Sequence, residues 1–156
     1  MDPIFTVPDA QFIWHVVSRL GAAALLGGLI GIEREWTGKA AGLRTHMTVA
    51  LGCAAFMLVA LESSDDGSNT SRAIQGIAAG IGFIGAGTIL KRSDEEDIKG
   101  LTTAATIWLT AAVGAGAGAG HGWLAFIAVV IAFVILFAFL GIDRWLARKR
   151  RAAELD

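Results

Sequence analysis

The sequence has little charge, little proline and almost no cysteine. Only 17% of its 156 residues are charged, whereas 54% are hydrophobic, and its mean hydropathy is +0.61. A chain this apolar is not an ordinary soluble domain. Its one cysteine, Cys53, excludes an intramolecular disulfide and lies in an apolar stretch, where a small buried hydrophobe is expected. The scarcity of charge indicates an integral membrane protein.

Other patterns are missing as well. The first eleven residues lack the basic region and cleavage site of a signal peptide, so we expect the first apolar segment to stay in the mature protein. The alternation typical of a membrane β-barrel is absent, and apolar segments in lipid must then be helical. No Ser-His-Asp order, Cys-His pair or zinc-ligand spacing occurs. We therefore expect no catalytic residues, no metal centre, no cofactor and no nucleic-acid partner.

Five apolar stretches are long enough, or nearly so, to cross about 30 Å of hydrocarbon as helices. They are Phe12–Ile32, His46–Leu61, Ala73–Leu90, Leu101–Ala119 and Trp123–Leu140, followed by a basic tail over residues 141–156. The predicted fold is all-α: a polytopic transmembrane helical bundle that forms a single domain over residues 1–156.

Lysine and arginine predict the orientation of this bundle. The N-terminal segment and the fourth connection have none, and the second connection has only Arg72. The first and third connections and the C-terminal tail are rich in both residues. Under the positive-inside rule, the N-terminus lies outside and the C-terminus in the cytoplasm. The expected location is a bacterial inner (plasma) membrane, crossed several times.

Glycine is abundant, with 20 residues against two prolines. In membrane helices small residues let backbones approach closely, so the glycines within and between the spans predict helix packing. The fifth span has no glycine between Trp123 and Leu140, which indicates a peripheral helix facing lipid. Glycine surfaces this extensive also favour a homo-oligomer. The predicted packing glycines are Gly27, Gly28, Gly31, Gly76, Gly80, Gly82, Gly85, Gly87 and Gly100.

The sequence also contains two pairs of similar segments, one in each half. GLIGIER precedes GLRTHMTVAL in the first half, and GFIGAGT precedes GLTTAATIWL in the second. Identities fall at Gly31 and Gly85, at Gly42 and Gly100, and at Ile30 and Ile84. This pattern suggests a parallel repeat in which helices one and two correspond to helices three and four.

Arg19 lies within the first span, where an arginine in hydrocarbon costs at least about 2.5 kcal/mol. It should therefore face protein or water. No acidic residue occupies the middle of any span, so Glu62 at the outer end of helix two, or backbone carbonyls, are the expected partners. A structural arginine is favoured, and a ligand or relay role stays open.

At the cytoplasmic side, charged residues cluster where helix one ends and helix two begins. The first turn of a helix attracts anions through its free N–H groups. Glu33 could satisfy that turn by pairing with Arg44, or an external phosphate or carboxylate could bind there. The internal salt bridge is favoured. The candidate polar residues at this side are Glu33, Arg34, Arg44, Thr45, His46, Thr102 and Thr103, with Arg19 at the other end.

Two charged segments allow both a structural and a functional interpretation. The basic end of the tail consists of Arg148, Lys149, Arg150 and Arg151 and would attract anionic lipid, although a topology anchor explains it equally well. The acidic run SDEED over residues 93–97 carries the oxygen ligands that Mg²⁺ accepts. A solvated loop is the favoured interpretation of that run.

In this order, GIERE, AGLRTH, GIGFIGAG and GLTTAATIW resemble the MgtC/SapB family of bacterial inner-membrane proteins over roughly residues 19–140. The resemblance implies a helical membrane protein linked to growth in low magnesium and to virulence. It also implies action on other membrane proteins, including the F-type ATP synthase. Carried over by motif, the marked positions are Arg19, Glu33, Arg34, Gly42, Leu43, Arg44, Thr45, His46, Gly82, Gly85, Gly87, Gly100, Leu101, Thr102 and Thr103.

Three functions are compatible with these observations. The first is a non-enzymatic regulator that docks a membrane-protein partner through residues 33–46 and 91–103. The second is a small ion transporter or channel with a pathway between helices one to four. The third is a scaffold that binds membrane lipids through its basic end. Several relatives of this family continue into a soluble domain, so a role that depends on such a domain is not expected of residues 1–156.

Overall fold

The computed structural model describes residues 8–63, 67–91 and 98–153, with the backbone alone over 90–91 and 139–153. Within these ranges the chain forms five α-helices and one short antiparallel hairpin. The helices are α1 (Ala10–Trp36), α2 (Leu43–Glu62), α3 (Ser68–Thr88), α4 (Leu101–Gly118) and α5 (Gly122–Ala153). The hairpin pairs β1 (Leu90–Lys91) with β2 (Ile98–Lys99) between α3 and α4. The predicted all-α bundle is confirmed.

The helix boundaries follow from capping. α1 begins where the Asp9 carboxylate accepts the Phe12 N–H at 2.7 Å, which satisfies a donor that the first turn leaves free. It ends at Thr37, whose N–H and hydroxyl both donate to the Glu33 carbonyl at 3.0 Å. α4 begins after Gly100, which has φ +98° and lies against the Thr88 carbonyl. Only glycine adopts that backbone conformation readily.

The predicted spans match the helices in number but not in length. Three helices, α1, α2 and α4, are long and apolar enough to cross a membrane by length and composition. The part of α5 with described side chains, Gly122–Ala138, is apolar and shorter. α5 continues beyond the predicted fifth span, Trp123–Leu140, to Ala153. Charge ends the hydrophobic stretch without ending the helix.

α2 and α4 lie at the centre of the bundle and contact each other through backbone atoms. A Cβ at Gly114 would lie 2.6 Å from the Ala50 Cα, and a Cβ at Gly118 would lie 2.6 Å from the Ala54 Cα. Both approaches are closer than side chains permit. α1 and α5 pack on one side of this pair around Ile30. α3 packs on the other side, around residues that include Ile81, Met57 and Ile107.

The peripheral position of α5 agrees with its sequence. Over Gly122–Ala138 its buried residues are Ala125, Val129 and Ala132, whereas most of its large side chains, from Trp123 to Phe137, are exposed. These exposed side chains form the outer surface of the bundle. Trp14 and Trp36, near the two ends of α1, are also exposed, as expected of residues at the two membrane interfaces.

The predicted packing glycines fall into two groups. Gly27, Gly28 and Gly31 contact α2, Gly85 lies near Ala104 of α4 at ordinary van der Waals distance, and Gly100 lies against the backbone of Thr88 at the end of α3. The other group has no atom of the described residues within 4 Å of where a Cβ would lie; they are Gly76, Gly80, Gly82 and Gly87. Spacing alone could not distinguish the two groups, because it does not specify which face of a helix meets a neighbour.

One contact recurs in both halves of the chain. A Cβ at Gly31 would lie 3.1 Å from the His46 Cβ, and a Cβ at Gly85 would lie 3.7 Å from the Ala104 Cβ. His46 and Ala104 each follow the aligned glycines Gly42 and Gly100 by four residues. The α1–α2 and α3–α4 pairs therefore meet at equivalent positions, as a parallel repeat requires.

Candidate functional site

The end of α1 carries a buried ion pair. Glu33 and Arg34 are each 2% exposed, and the carboxylate of Glu33 accepts hydrogen bonds from Nε of Arg34 at 2.5 Å and from Nη2 at 2.8 Å. This bidentate geometry is the strongest that the two groups can adopt. Together with His46, which is fully buried, these residues form what we term the buried polar cluster.

His46 is held at the first turn of α2. Its Nδ1 lies 2.9 Å from the Gly42 carbonyl oxygen, so Nδ1 carries the proton and Nε2 is a hydrogen-bond acceptor in the neutral tautomer. Glu33 and Arg34 both lie within electrostatic reach of the imidazole. Nε2 of His46 and Nη1 of Arg34 are buried without a partner among the described residues. An unsatisfied buried polar atom costs about 1–3 kcal/mol.

The sequence predicted an ion pair between Glu33 and Arg44. In the structure Glu33 pairs instead with its neighbour Arg34. Arg44 is exposed, because it lies on the outer side of the first turn of α2. The anion at this helix start is Glu35, whose Oε2 accepts the Leu43 N–H at 2.8 Å. Gly42 permits the contact, since a Cβ there would lie 2.5 Å from the same oxygen. An internal carboxylate therefore occupies the anion site predicted at this turn.

The threonines of α4 bond to their own helix. Thr106 donates to the Thr103 carbonyl at 3.0 Å and Thr110 to the Thr106 carbonyl at 2.8 Å. All three are buried, whereas Thr102 is exposed and Thr45 of α2 is half-buried. Such bonds satisfy hydroxyls within a membrane helix. They give Thr106 and Thr110 a packing role.

Arg19 lies at the opposite end of the bundle. Its Nη1 donates to the carbonyl of Gly118, at the end of α4, at 3.3 Å. The guanidinium also lies against Gly120, whose φ is +85°. A cation at the C-terminal end of a helix is favourable because the last carbonyls carry partial negative charge. Of the two predicted partners, the backbone carbonyl is the one that Arg19 contacts.

The clefts among the described residues include the following four, and the buried polar cluster lines none of these four. An apolar groove of about 470 Å³ lies between α2 and α3, beside Gly76 and Gly80, and a smaller one of about 100 Å³ lies between α3 and α4. A third cleft, of about 920 Å³, lies where α1 meets the start of α5. The fourth, of about 270 Å³, contains Arg19 and Glu62 at the predicted outer face.

Several contacts were missed from the sequence. Gly114 and Gly118 show the same four-residue spacing as other packing glycines, so this signal was present. Glu35 could be found only by knowing that the turn brings it back onto α2. Two predicted segments lie outside what the structure describes: the acidic run over residues 93–97, and the side chains of the basic residues 148–151.

The sequence is similar to that of several known proteins. Residues 20–145 match the model of the MgtC family. The chain is 43% identical to SrpB of Synechococcus elongatus over 141 residues, which are 82% of this chain and 78% of SrpB. It is 46% identical to MgtC of Brucella abortus over 121 residues, 78% of this chain and 49% of that protein. No solved structure matches.

A further relative is YhiD of Escherichia coli K12, named as a candidate magnesium transporter. It is 42% identical over 130 residues, which are 79% of this chain and 60% of YhiD. The chain thus spans most of SrpB but only about half of the Brucella protein. The similarity covers the membrane helices described above.

Proposed function

Because the chain belongs to the MgtC family, we propose that this membrane protein crosses the bacterial inner membrane several times and acts in magnesium homeostasis or virulence by binding and regulating another membrane protein. A transporter or an ATP synthase is the proposed class of partner. No enzymatic step is involved. The proposed contact surface is the exposed part of the cytoplasmic side, which includes Lys39, Arg44 and Thr102.

The tight packing of the helices inside the bundle supports this proposal. α1 and α4 both touch the backbone of α2 through glycines, at Gly27, Gly114 and Gly118. The charges that a pathway would use are paired with each other, as Glu33 with Arg34, or bonded to backbone, as Arg19. An ion pathway needs polar groups that face water. A packed core with exposed charged residues at the cytoplasmic side supports docking more than conduction.

A transporter remains the second candidate, and one observation favours it. Nη1 of Arg34 and Nε2 of His46 are buried without a partner among the described residues. Polar groups kept inside a membrane protein at this cost often mark an ion or proton route. The name of YhiD points the same way for that protein.

Ion flux in proteoliposomes distinguishes the two candidates. The purified chain is reconstituted and tested for Mg²⁺, K⁺ and H⁺ movement under a gradient and an imposed potential, with an ionophore to establish sensitivity. We expect no flux above that of empty liposomes. Flux that disappears in Glu33→Gln or Arg19→Gln, with the protein still folded, would establish a pathway and refute the regulatory proposal.

The regulatory activity is tested by co-reconstitution with an F-type ATP synthase. ATP-driven proton pumping should fall when the chain is present, and Arg44→Ala should restore it because that side chain is exposed at the proposed surface. The matched control is Arg72→Gln, an exposed cation of α3 at the opposite predicted face. If pumping is unchanged by the chain, the ATP synthase is excluded as its partner.

A further inference from the structure

At the predicted outer face, the fourth cleft has an apolar floor and two opposite charges. It lies between the first part of α1 and the last turn of α2 and has a volume of about 270 Å³, the space of about nine water molecules at roughly 30 Å³ each. We term it the outer cleft. Its lining residues are Phe12, His15, Val16, Arg19, Leu58, Leu61 and Glu62.

The two charges of the outer cleft do not neutralise each other. Arg19 makes one hydrogen bond, through Nη1, to the Gly118 carbonyl. The Glu62 carboxylate makes no hydrogen bond or ion pair within the described part of the chain. An anion at the C-terminal end of a helix is unfavourable, so Glu62 does not stabilise α2 either. The contacts among the described residues therefore give this carboxylate no structural role.

The rest of the cleft surface is mainly apolar, as is the surface that lipid acyl chains contact. Phe12 and Leu61 are about two-fifths exposed on its walls, at 41% and 39%. By the positive-inside orientation these residues lie near the outer membrane interface, where headgroups meet acyl chains. A ligand that fills this cleft needs an anionic group for Arg19, a cationic group for Glu62 and an apolar part.

We propose that the outer cleft binds a zwitterionic phosphoethanolamine group, with its phosphate on Arg19 and its ammonium on Glu62. The expected source is phosphatidylethanolamine of the membrane, since its acyl chains match the apolar walls. Charge-assisted hydrogen bonds to both ends of one headgroup explain why the two side chains share a cleft without pairing. This site is independent of the regulatory surface at the cytoplasmic side.

Native mass spectrometry of the full chain in detergent tests this site with lipids of identical acyl chains. We expect phosphatidylethanolamine to bind about tenfold more tightly than phosphatidylglycerol, the ratio expected from one additional charge-assisted contact. Glu62→Gln should remove that preference while leaving phosphatidylglycerol binding unchanged. Arg19→Gln should weaken both lipids.

Controls make each outcome decisive. Arg72→Gln, which removes an exposed cation that does not line the cleft, should keep the lipid preference. If Arg19→Gln fails to fold, Glu62→Gln still decides, because the Glu62 carboxylate has no internal partner to lose. Equal binding of both lipids to the unmodified chain, or an unchanged preference in Glu62→Gln, overturns the proposal. If soluble glycerophosphoethanolamine binds as tightly as the lipid, the headgroup chemistry holds and the lipid source is wrong.

Discussion

The contact between α2 and α4 at Gly114 provides the strictest test of this packing. In Gly114→Ala, the new Cβ would lie 2.6 Å from the Cα and 2.8 Å from the carbonyl carbon of Ala50. Carbon atoms in contact lie about 3.5–4.0 Å apart, so the two helices would have to separate by about 1 Å. A helix backbone cannot rotate away as a side chain can.

The expected loss of stability follows from this overlap. Overpacking a closed core costs about 1–3 kcal/mol. Alanine favours a helix over glycine by about 0.8–1.0 kcal/mol in soluble hosts, which partly offsets that cost. Gly116→Ala provides the matched control, because its Cβ would lie 3.7 Å from the Ala125 Cβ, an ordinary contact. The difference between the two variants isolates the overlap.

Cys53 provides the assay. It is the only cysteine of the chain and is 5% exposed within α2, so a fluorogenic thiol reagent will react with it mainly on unfolding. A loss of about 1–3 kcal/mol lowers the melting temperature of a chain of this size by about 2–12 °C. We expect that shift in Gly114→Ala relative to Gly116→Ala. Equal melting temperatures would show that α2 and α4 are not in backbone contact here.

Three further predictions use the same purified chain or whole cells. Glu33→Gln leaves the Arg34 charge buried and uncompensated, which should lower the free energy of unfolding by about 3–5 kcal/mol, measured by thermal unfolding. Replacing both residues by apolar ones should recover much of that stability. A Glu33→Gln variant as stable as the unmodified chain would contradict the buried pair. Glu35→Ala removes the cap of α2 and should cost about 0.5–2 kcal/mol in the same measurement, and no change would exclude the cap. A membrane-impermeant maleimide added to intact cells should label Ser63→Cys but not Lys39→Cys, and the reverse result would invert the predicted orientation.

The helical architecture could be predicted because its cause is local. Each apolar stretch must be helical in lipid, so the number of helices followed from the hydrophobic runs alone. The residues at which the helices begin and end could not be predicted in the same way. α1 begins at the Asp9 cap and α5 continues through its basic segment, and neither boundary coincides with a change from apolar to polar residues.

Tertiary contacts could not be predicted from spacing. Gly76 and Gly80 share the four-residue spacing of Gly114 and Gly118. Among the described residues, the second pair lies against the backbone of α2, whereas a Cβ on either member of the first pair would have no atom within 4 Å. The difference depends on how each helix is rotated in the bundle, which is decided by all its neighbours together. The sequence therefore identified residues capable of close approach without identifying those that use it.

The charged residues show the same limit at a finer scale. The predicted partner of Glu33 was Arg44, eleven positions away, and the observed partner is the next residue, Arg34. The cap of α2 is instead Glu35. Glutamates two positions apart point about 200° apart around a helix, since each residue turns it by about 100°. Glu33 faces the bundle and Glu35 faces the turn before α2. The position of α2 decides which of the two glutamates is buried and which one caps the helix.

The difference between the two halves of the repeat bears on the choice of function. The register that aligns Gly31 with Gly85 puts Gly87 and Thr88 at the positions of Glu33 and Arg34. The register that aligns Gly42 with Gly100 puts Ala104 at the position of His46. The second half thus has no charged group where the first half has its buried polar cluster. In transporters built from repeats, the ion site lies at the interface between the repeats. Here the charges come from one half alone and pair with each other, an arrangement that favours a sealed scaffold over an ion pathway along the axis.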